Sequence, residues 1–321
     1  MDEIRNKLWA VGGGKGGCGK SIVTLMLGAS LAKLGMKVLL VDADLGGSNL
    51  HTLSGIRYPT YTLADFISRR VETIDEVVMD TPIENMKIIC GADDILGIAN
   101  PKSTQKTRLF SNISRLDADM ILLDLGAGTS FTTIDFFLYA QNKIVVLTPQ
   151  MTSLQNAYGF IKSSLYRSLN ESFKKEPQIL ELINRASVSV EGEKIDSVAR
   201  LYEEIGKVGT EHQESLMNCI NNMNIKIIAN MVRDAKERNV SNIIKSVAKN
   251  YLSLDLEELG IVKYESILNS SINNMAEYLI DGKDTVTRGY FYDIAYTIVR
   301  KFRPVRTVFP ATAMGIRQSA L

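Results

Sequence analysis

Gly12-Gly13-Gly14-Lys15-Gly16-Gly17-Cys18-Gly19-Lys20-Ser21 stands between an apolar run, Leu8–Gly12, and a segment with helical spacing. From Gly14 to Ser21 it fits the pattern G-x-x-x-x-G-K-[ST], in the strand–loop–helix context that the pattern requires. Glycines allow successive backbone N–H groups to turn inward around phosphate oxygens without a Cβ in the way. The start of the following helix adds partial positive charge. Lys20 can bridge the outer phosphates, and the Ser21 hydroxyl suits a magnesium ion. A glycine-rich turn with no ligand would not need the strand, the Lys-Ser pair and the helix to coincide.

Outward from this loop the chain alternates. Short Val/Ile/Leu-rich runs at Leu8–Gly12, Lys37–Asp42, Met86–Cys90, Met120–Asp124, Lys143–Thr148, Ile225–Asn230 and Leu259–Val262 read as strands. Their hydrophobicity is continuous rather than alternating, as in parallel strands covered on both faces. Ile22, Leu25, Met26 and Ala29 share one helical face, with Gly35 as a stop signal. Alternating strand and helix implies right-handed crossovers and an α/β fold: a doubly wound, mostly parallel sheet flanked by helices.

Two stretches depart from this rhythm. Residues 153–224 separate two strands by more than one crossover helix needs. Helical candidates lie at Leu154–Leu169, Gln178–Val188 and Ile195–Met223, read as a helical insertion in a single domain spanning 1–321. It is either a solvated helical hairpin or a lid or partner-docking surface. In the tail, 289–321, Phe291, Ile294, Ala295, Ile298 and Phe302 share a face expected to pack on the sheet. Arg300, Lys301, Arg303 and Arg306 then cluster before Pro304 and Pro310 break the segment.

Composition narrows the function classes. The 321 residues are 45% hydrophobic and 23% charged, enough to bury a core, and the formal net charge is +1. That balance argues against a strongly basic nucleic-acid coat. Apolar runs fall far short of the roughly twenty residues that span a bilayer. Met1-Asp2-Glu3-Ile4-Arg5 does not read as a secretory signal. Cys18, Cys90 and Cys219 are scattered and form no CxxC pair, so a reducing cytoplasm and no iron–sulfur cluster are expected.

Two strand ends carry carboxylates. Val38-Leu39-Leu40-Val41-Asp42-Ala43-Asp44 ends in two, and Ile121-Leu122-Leu123-Asp124-Leu125-Gly126-Ala127-Gly128 in one. Taken with Lys15, a lysine that a generic phosphate loop does not need, GGKGGxGK[ST] resembles the deviant Walker A loop of the ParA/MinD family of dimerising P-loop ATPases. The resemblance covers about residues 7–150 and 225–280.

It implies that Gly14, Lys15, Gly16, Gly17, Cys18, Gly19, Lys20 and Ser21 bind nucleotide, with Lys15 reaching into the site of a facing subunit. It implies that Asp44 orients the attacking water, that Asp42 supports the loop or the magnesium shell, and that Asp124 and Ser21 hold the metal. Gly126 would offer its N–H to the γ-phosphate. Val145-Val146-Leu147-Thr148-Pro149-Gln150 resembles the family's V-x-T-P-E segment. Asn230 and Arg233 resemble its adenine-recognising NxxR. The family's proline-containing segment after that strand is replaced here by Gly260-Ile261-Val262-Lys263-Tyr264-Glu265.

The implied cofactors are ATP, leaving ADP, and Mg2+. The implied assembly is an ATP-dependent homodimer in which slow hydrolysis acts as a spatial switch for cell division, flagella or a chromosome or other cargo. Asp42–Leu50 looks closer to the MinD and flagellar-number-regulator branch than to the DNA-segregating branch, so DNA is the less favoured surface. The activating partner is left unnamed. The expected place is the cytoplasm, with peripheral contact at the inner face of the membrane left open. Two alternatives remain: a bacterial tyrosine-kinase-like phosphotransferase, for which Tyr290, Tyr292 and Tyr296 would be candidates, and a nucleotide-gated scaffold with little turnover.

Overall fold

The computed structural model describes residues 7–14, 16–91, 101–188, 195–281 and 284–302. Its centre is one sheet of β1 (Leu8–Gly12), β2 (Val38–Asp42), β3 (Val78–Asp80), β4 (Met86–Ile89), β5 (Met120–Asp124), β6 (Asn142–Leu147), β7 (Ile225–Val232) and β8 (Glu257–Lys263). The spatial order is β3-β4-β2-β5-β1-β6-β7-β8. Every neighbouring pair is parallel except β3 with β4. The expected doubly wound α/β architecture is therefore present. β1, β2 and β5 are buried at every position, as continuous apolar runs require.

Two apolar layers cover the sheet. On one side the Lys20–Lys33 helix packs on the central strands, and the C-terminal Thr285–Phe302 helix packs beside it and against β8. The Lys20–Lys33 helix is apolar nearly all round because it is covered nearly all round. The helix ends where Gly35, at φ 81°, turns the chain out, with Met36 N–H donating back to the Leu31 carbonyl. On the other side the helices Ser103–Ile113, Phe131–Tyr139, Met151–Ser172 and Val240–Leu252 form a second layer.

Three differences from the sequence reading have physical causes. β3 was not expected: it is three residues long, antiparallel and half-buried at the sheet margin, too short for a period to show. The segment read as one helix over Ile195–Met223 is two, Val198–Gly206 and Thr210–Asn221, parted at Lys207-Val208-Gly209. The insertion is also less solvated than a hairpin would be. Ile179, Ile183, Leu201, Ile205, Leu216 and Ile220 are buried and join the apolar layer that covers the sheet. In the tail, Phe291, Ile294, Ala295 and Ile298 are buried against the sheet side as expected. Arg303, Pro304, Arg306, Pro310 and the Phe302 side chain lie outside the described residues.

Candidate functional site

The predicted site residues converge at the carboxyl ends of β1, β2, β5 and β7, where open α/β sheets place their ligands. The loop leaves β1 at Gly12. Gly14 packs against the backbone carbonyl of Asn156, so the loop's first half leans on the start of the Met151–Ser172 helix. Lys15 lies outside the described residues. Gly16 and Gly17 are exposed at the tip, while Cys18 is buried, its thiol pushed up by burial. Gly19 holds φ 88° and a Cβ there would stand 2.4 Å from Asn230 Nδ2, so no other residue fits. The helix that follows has no side-chain cap. With a glycine at the cap position the helix start faces the loop, the arrangement of a phosphate site, and the Lys20 backbone N–H lies against the Cys18 thiol.

Beneath the loop, Lys20, Thr24, Asp42 and Asp124 are buried together. Asp42 and Asp124 are register partners on β2 and β5. Burial, then the neighbouring Asp42 charge, raises Asp124 to about 7. The Ser21 hydroxyl, the Lys20 charge and the Thr24 hydroxyl act in the opposite sense. Thr24 Oγ1 donates to Asp124 Oδ1 over 3.2 Å. Burial also raises Asp42, against hydrogen bonds from Ser48, Leu50 and Asp44. Asp42 already accepts three protein hydrogen bonds. Asp124 beside the Ser21 hydroxyl is a hard oxygen donor set that fits a Mg2+ ion, which takes one or two protein oxygens and completes its shell with phosphate and water. Among the described residues no group of three or more His, Cys, Asp or Glu could hold a metal unaided.

Asp44 and Gly126 meet at the mouth. A Cβ on Gly126 would stand 2.8 Å from Asp44 Oδ1. Thus the segments after β2 and β5 touch through a carboxylate and a bare backbone. The β6 end contributes Thr148, whose N–H donates to Ser153 Oγ over 3.0 Å.

Asn230 is buried, and its Nδ2 donates to the Cys18 carbonyl over 2.9 Å. At this point the β7–β8 ladder shifts register between Ala229 and Val232, and Met231 takes φ 59°. A left-handed non-glycine residue is an outlier of the kind that gathers at functional sites. Arg233 is exposed, with its guanidinium 5.1 Å from the Tyr264 ring centroid. The sequence had marked Asn230 and Arg233 for a base. The structure sets Asn230 under the phosphate loop and Arg233 on an aromatic ring. Thr24 and Ser48 had been given no role, and Tyr264 had been quoted only as part of the segment that replaces the family's proline-containing one. Thr24, one helical turn beyond Lys20, was the one with a usable signal: a polar residue on a buried face.

Residues 9–278 match the family described as the CobQ/CobB/MinD/ParA nucleotide binding domain. The chain belongs to this family. Its relatives include the antiactivator FleN of Pseudomonas aeruginosa, 34% identical over 154 residues, or 48% of this chain and 54% of FleN. The septum site-determining protein MinD of Synechocystis is 32% identical over 155 residues, 47% of this chain and 57% of that protein. The chain thus spans about half the length of the curated relatives it matches. Solved structures share the fold: Pyrococcus furiosus MinD has a TM-score of 0.62 at 17% identity, covering 92% of this chain and 99% of that one. Pyrococcus horikoshii MinD complexed with Mg-ADP has a TM-score of 0.61 at 18% identity, covering 91% and 95%.

The matched region, residues 9–278, is thus a nucleotide-binding domain of this family. The alternative of phosphotransfer onto tyrosine finds no support. Tyr290 donates to Glu265 Oε1 over 3.4 Å and sits on the helix packed against the Lys20–Lys33 helix, beside the buried Phe291. No helix among the described residues is long and apolar enough to cross a membrane.

Proposed function

We propose that the chain is a MinD/ParA-like ATPase whose ATP-dependent dimerisation and slow hydrolysis to ADP and phosphate form a spatial switch. The observation that carries this reading is Asp44 held against Gly126, beside the buried Lys20 and Asp124 and the half-buried Ser21. Phosphoryl transfer asks for positioning and charge stabilisation rather than covalent chemistry, and this cluster supplies both.

In this reading the loop backbone from Gly14 to Gly19 wraps the phosphates, and Lys20 neutralises their outer charge. Ser21 and Asp124 would hold Mg2+, which when bound offsets negative charge on the phosphate oxygens. Asp44 orients the water, and the Gly126 N–H faces the γ-phosphate. Asp42 spends its oxygens on the protein, so it serves the loop rather than the metal shell. Asn230 steadies the loop, and Arg233 with Tyr264 flanks the base. Lys15 enters the partner subunit's site, a donation worth about three to five decades of rate in related chemistries. The kinship with FleN and MinD supports a role in siting cellular structures, at the cytoplasmic face of a membrane or on a protein partner.

The test is size-exclusion of Asp44→Ala with ATP, with and without anionic liposomes. A stable ATP-bound dimer that accompanies the liposomes is expected. Rapid phosphate release by this variant would remove Asp44 from its role. Lys15→Gln should retain nucleotide and lose turnover; full-rate hydrolysis by a monomeric Lys15→Gln chain would end the trans-site reading.

A further inference from the structure

The loop that carries Asp44 is gripped from one point. Asp42 Oδ2 accepts the Ser48 hydroxyl over 2.6 Å and the Leu50 N–H over 2.9 Å, while Oδ1 accepts the Asp44 N–H over 3.2 Å. One buried carboxylate therefore ties both ends of the Asp44–Leu50 segment. Between these ends Leu45 is buried in the core and the Gly46 N–H donates to Asp44 Oδ1 over 3.3 Å, while a Cβ on Gly46 would meet nothing within 4 Å. Asn49 Nδ2 donates only locally, to the Gly47 carbonyl over 2.7 Å.

Of the three donors, Ser48 alone is a side chain and gives the shortest bond. Its placement is confined. A Cβ on Gly91, at the end of β4, would stand 2.7 Å from Ser48 Oγ and 3.0 Å from the Asp42 carbonyl, so the hydroxyl fills a slot left by that glycine. On the outer side His51 Nδ1 lies 3.4 Å from Ser48 Oγ. The order of contact is His51, Ser48, Asp42, the Asp44 backbone and, through the Asp44 carboxylate, Gly126.

We infer that Ser48 is a positioning residue for hydrolysis: its hydroxyl, acting through Asp42, fixes the loop so that the Asp44 carboxylate stays over Gly126. This assignment rests on the hydrolytic reading above and names what holds its water-orienting group. The Ser48 hydroxyl bonds Asp42 and lies against His51 rather than any residue of the phosphate loop, so its loss should act on turnover and not on binding. A misplacement of about 1 Å at a reacting group costs on the order of 10²-fold in rate.

Phosphate release and fluorescent-ADP affinity are measured on the full chain for the wild type, Ser48→Ala and Ser48→Thr, with thermal unfolding as a check on folding. The expected result is a fall in kcat of ~10²-fold for Ser48→Ala, with ADP affinity within about twofold of wild type, and recovery of most of the rate in Ser48→Thr. Gly91→Ala, which crowds the same hydroxyl, should reproduce the fall independently. Wild-type turnover in Ser48→Ala, or a loss of rate matched by an equal loss of ADP affinity, would overturn the assignment. If the wild-type chain itself binds ADP and releases no phosphate, the hydrolytic reading fails first and the assignment falls with it.

Discussion

Asn230 donates from its side-chain amide to the main-chain carbonyl of Cys18, joining the end of β7 to the middle of the phosphate loop over 2.9 Å. The bond is buried, and removing the donor of a buried hydrogen bond costs about 1–3 kcal/mol. Asn230→Ala should weaken nucleotide binding by roughly tenfold or more, read by calorimetric titration with ADP. Unchanged affinity would mean that the loop keeps its shape without this tie.

Gly126 sits where a single methyl would displace Asp44 Oδ1, 2.8 Å from its ideal position. Gly126→Ala is expected to lower phosphate release by ~10²-fold while ADP binding persists. A parallel collapse of ADP affinity would place Gly126 in the binding of both nucleotides rather than in the switch.

Stability should rise with pH in the mildly alkaline range. Burial lowers Lys143 to about 8, helped by the charge of Lys226. Burial likewise lowers Lys226 to about 8, opposed by Glu257. In the unfolded chain both return to the ordinary value of 10.5. Between these values the unfolded chain binds more protons, so raising pH favours the folded state, by up to about 1.4 kcal/mol per pH unit for each lysine. Below about 8 both states are charged and this gain is absent. Urea midpoints from neutral pH to about 9 should climb, and Lys143→Met should flatten the climb. A falling midpoint in wild type would contradict the assignment of these two amines.

The helical insertion is proposed to belong to the same cooperative unit as the sheet. Leu201 is fully buried in the layer shared with β1 and β6. Leu201→Ala should cost about 2–5 kcal/mol. Fluorescence of Trp9, the chain's one tryptophan and buried in β1, should then shift together with far-UV ellipticity. Two separated transitions would show the insertion to be a module of its own.

What could be read in advance followed the strength of each local signal. β1, β2 and β5 were legible because their apolar runs are unbroken and end in glycine or aspartate. The pattern from Gly14 to Ser21 was legible because its spacing serves one chemistry. β3 was hidden by its three residues, and the break at Lys207–Gly209 by helix-favouring neighbours on both sides. Asn230's bond to the loop was hidden because it spans 212 positions of sequence. The kink at Met231 has no residue type that announces it. Ser48 looked like an ordinary loop serine, since only the fold brings it to Asp42 and Gly91.

The margins of the sheet carry a last consequence. β3 ends in Asp80, paired with Lys87 across 3.2 Å, and β8 opens with Glu257, paired with Lys301, and closes with Lys263. Short or charged borders resist main-chain docking by another molecule's strand. Copies of this chain are thereby steered away from ribbon-like growth through the margins of the sheet.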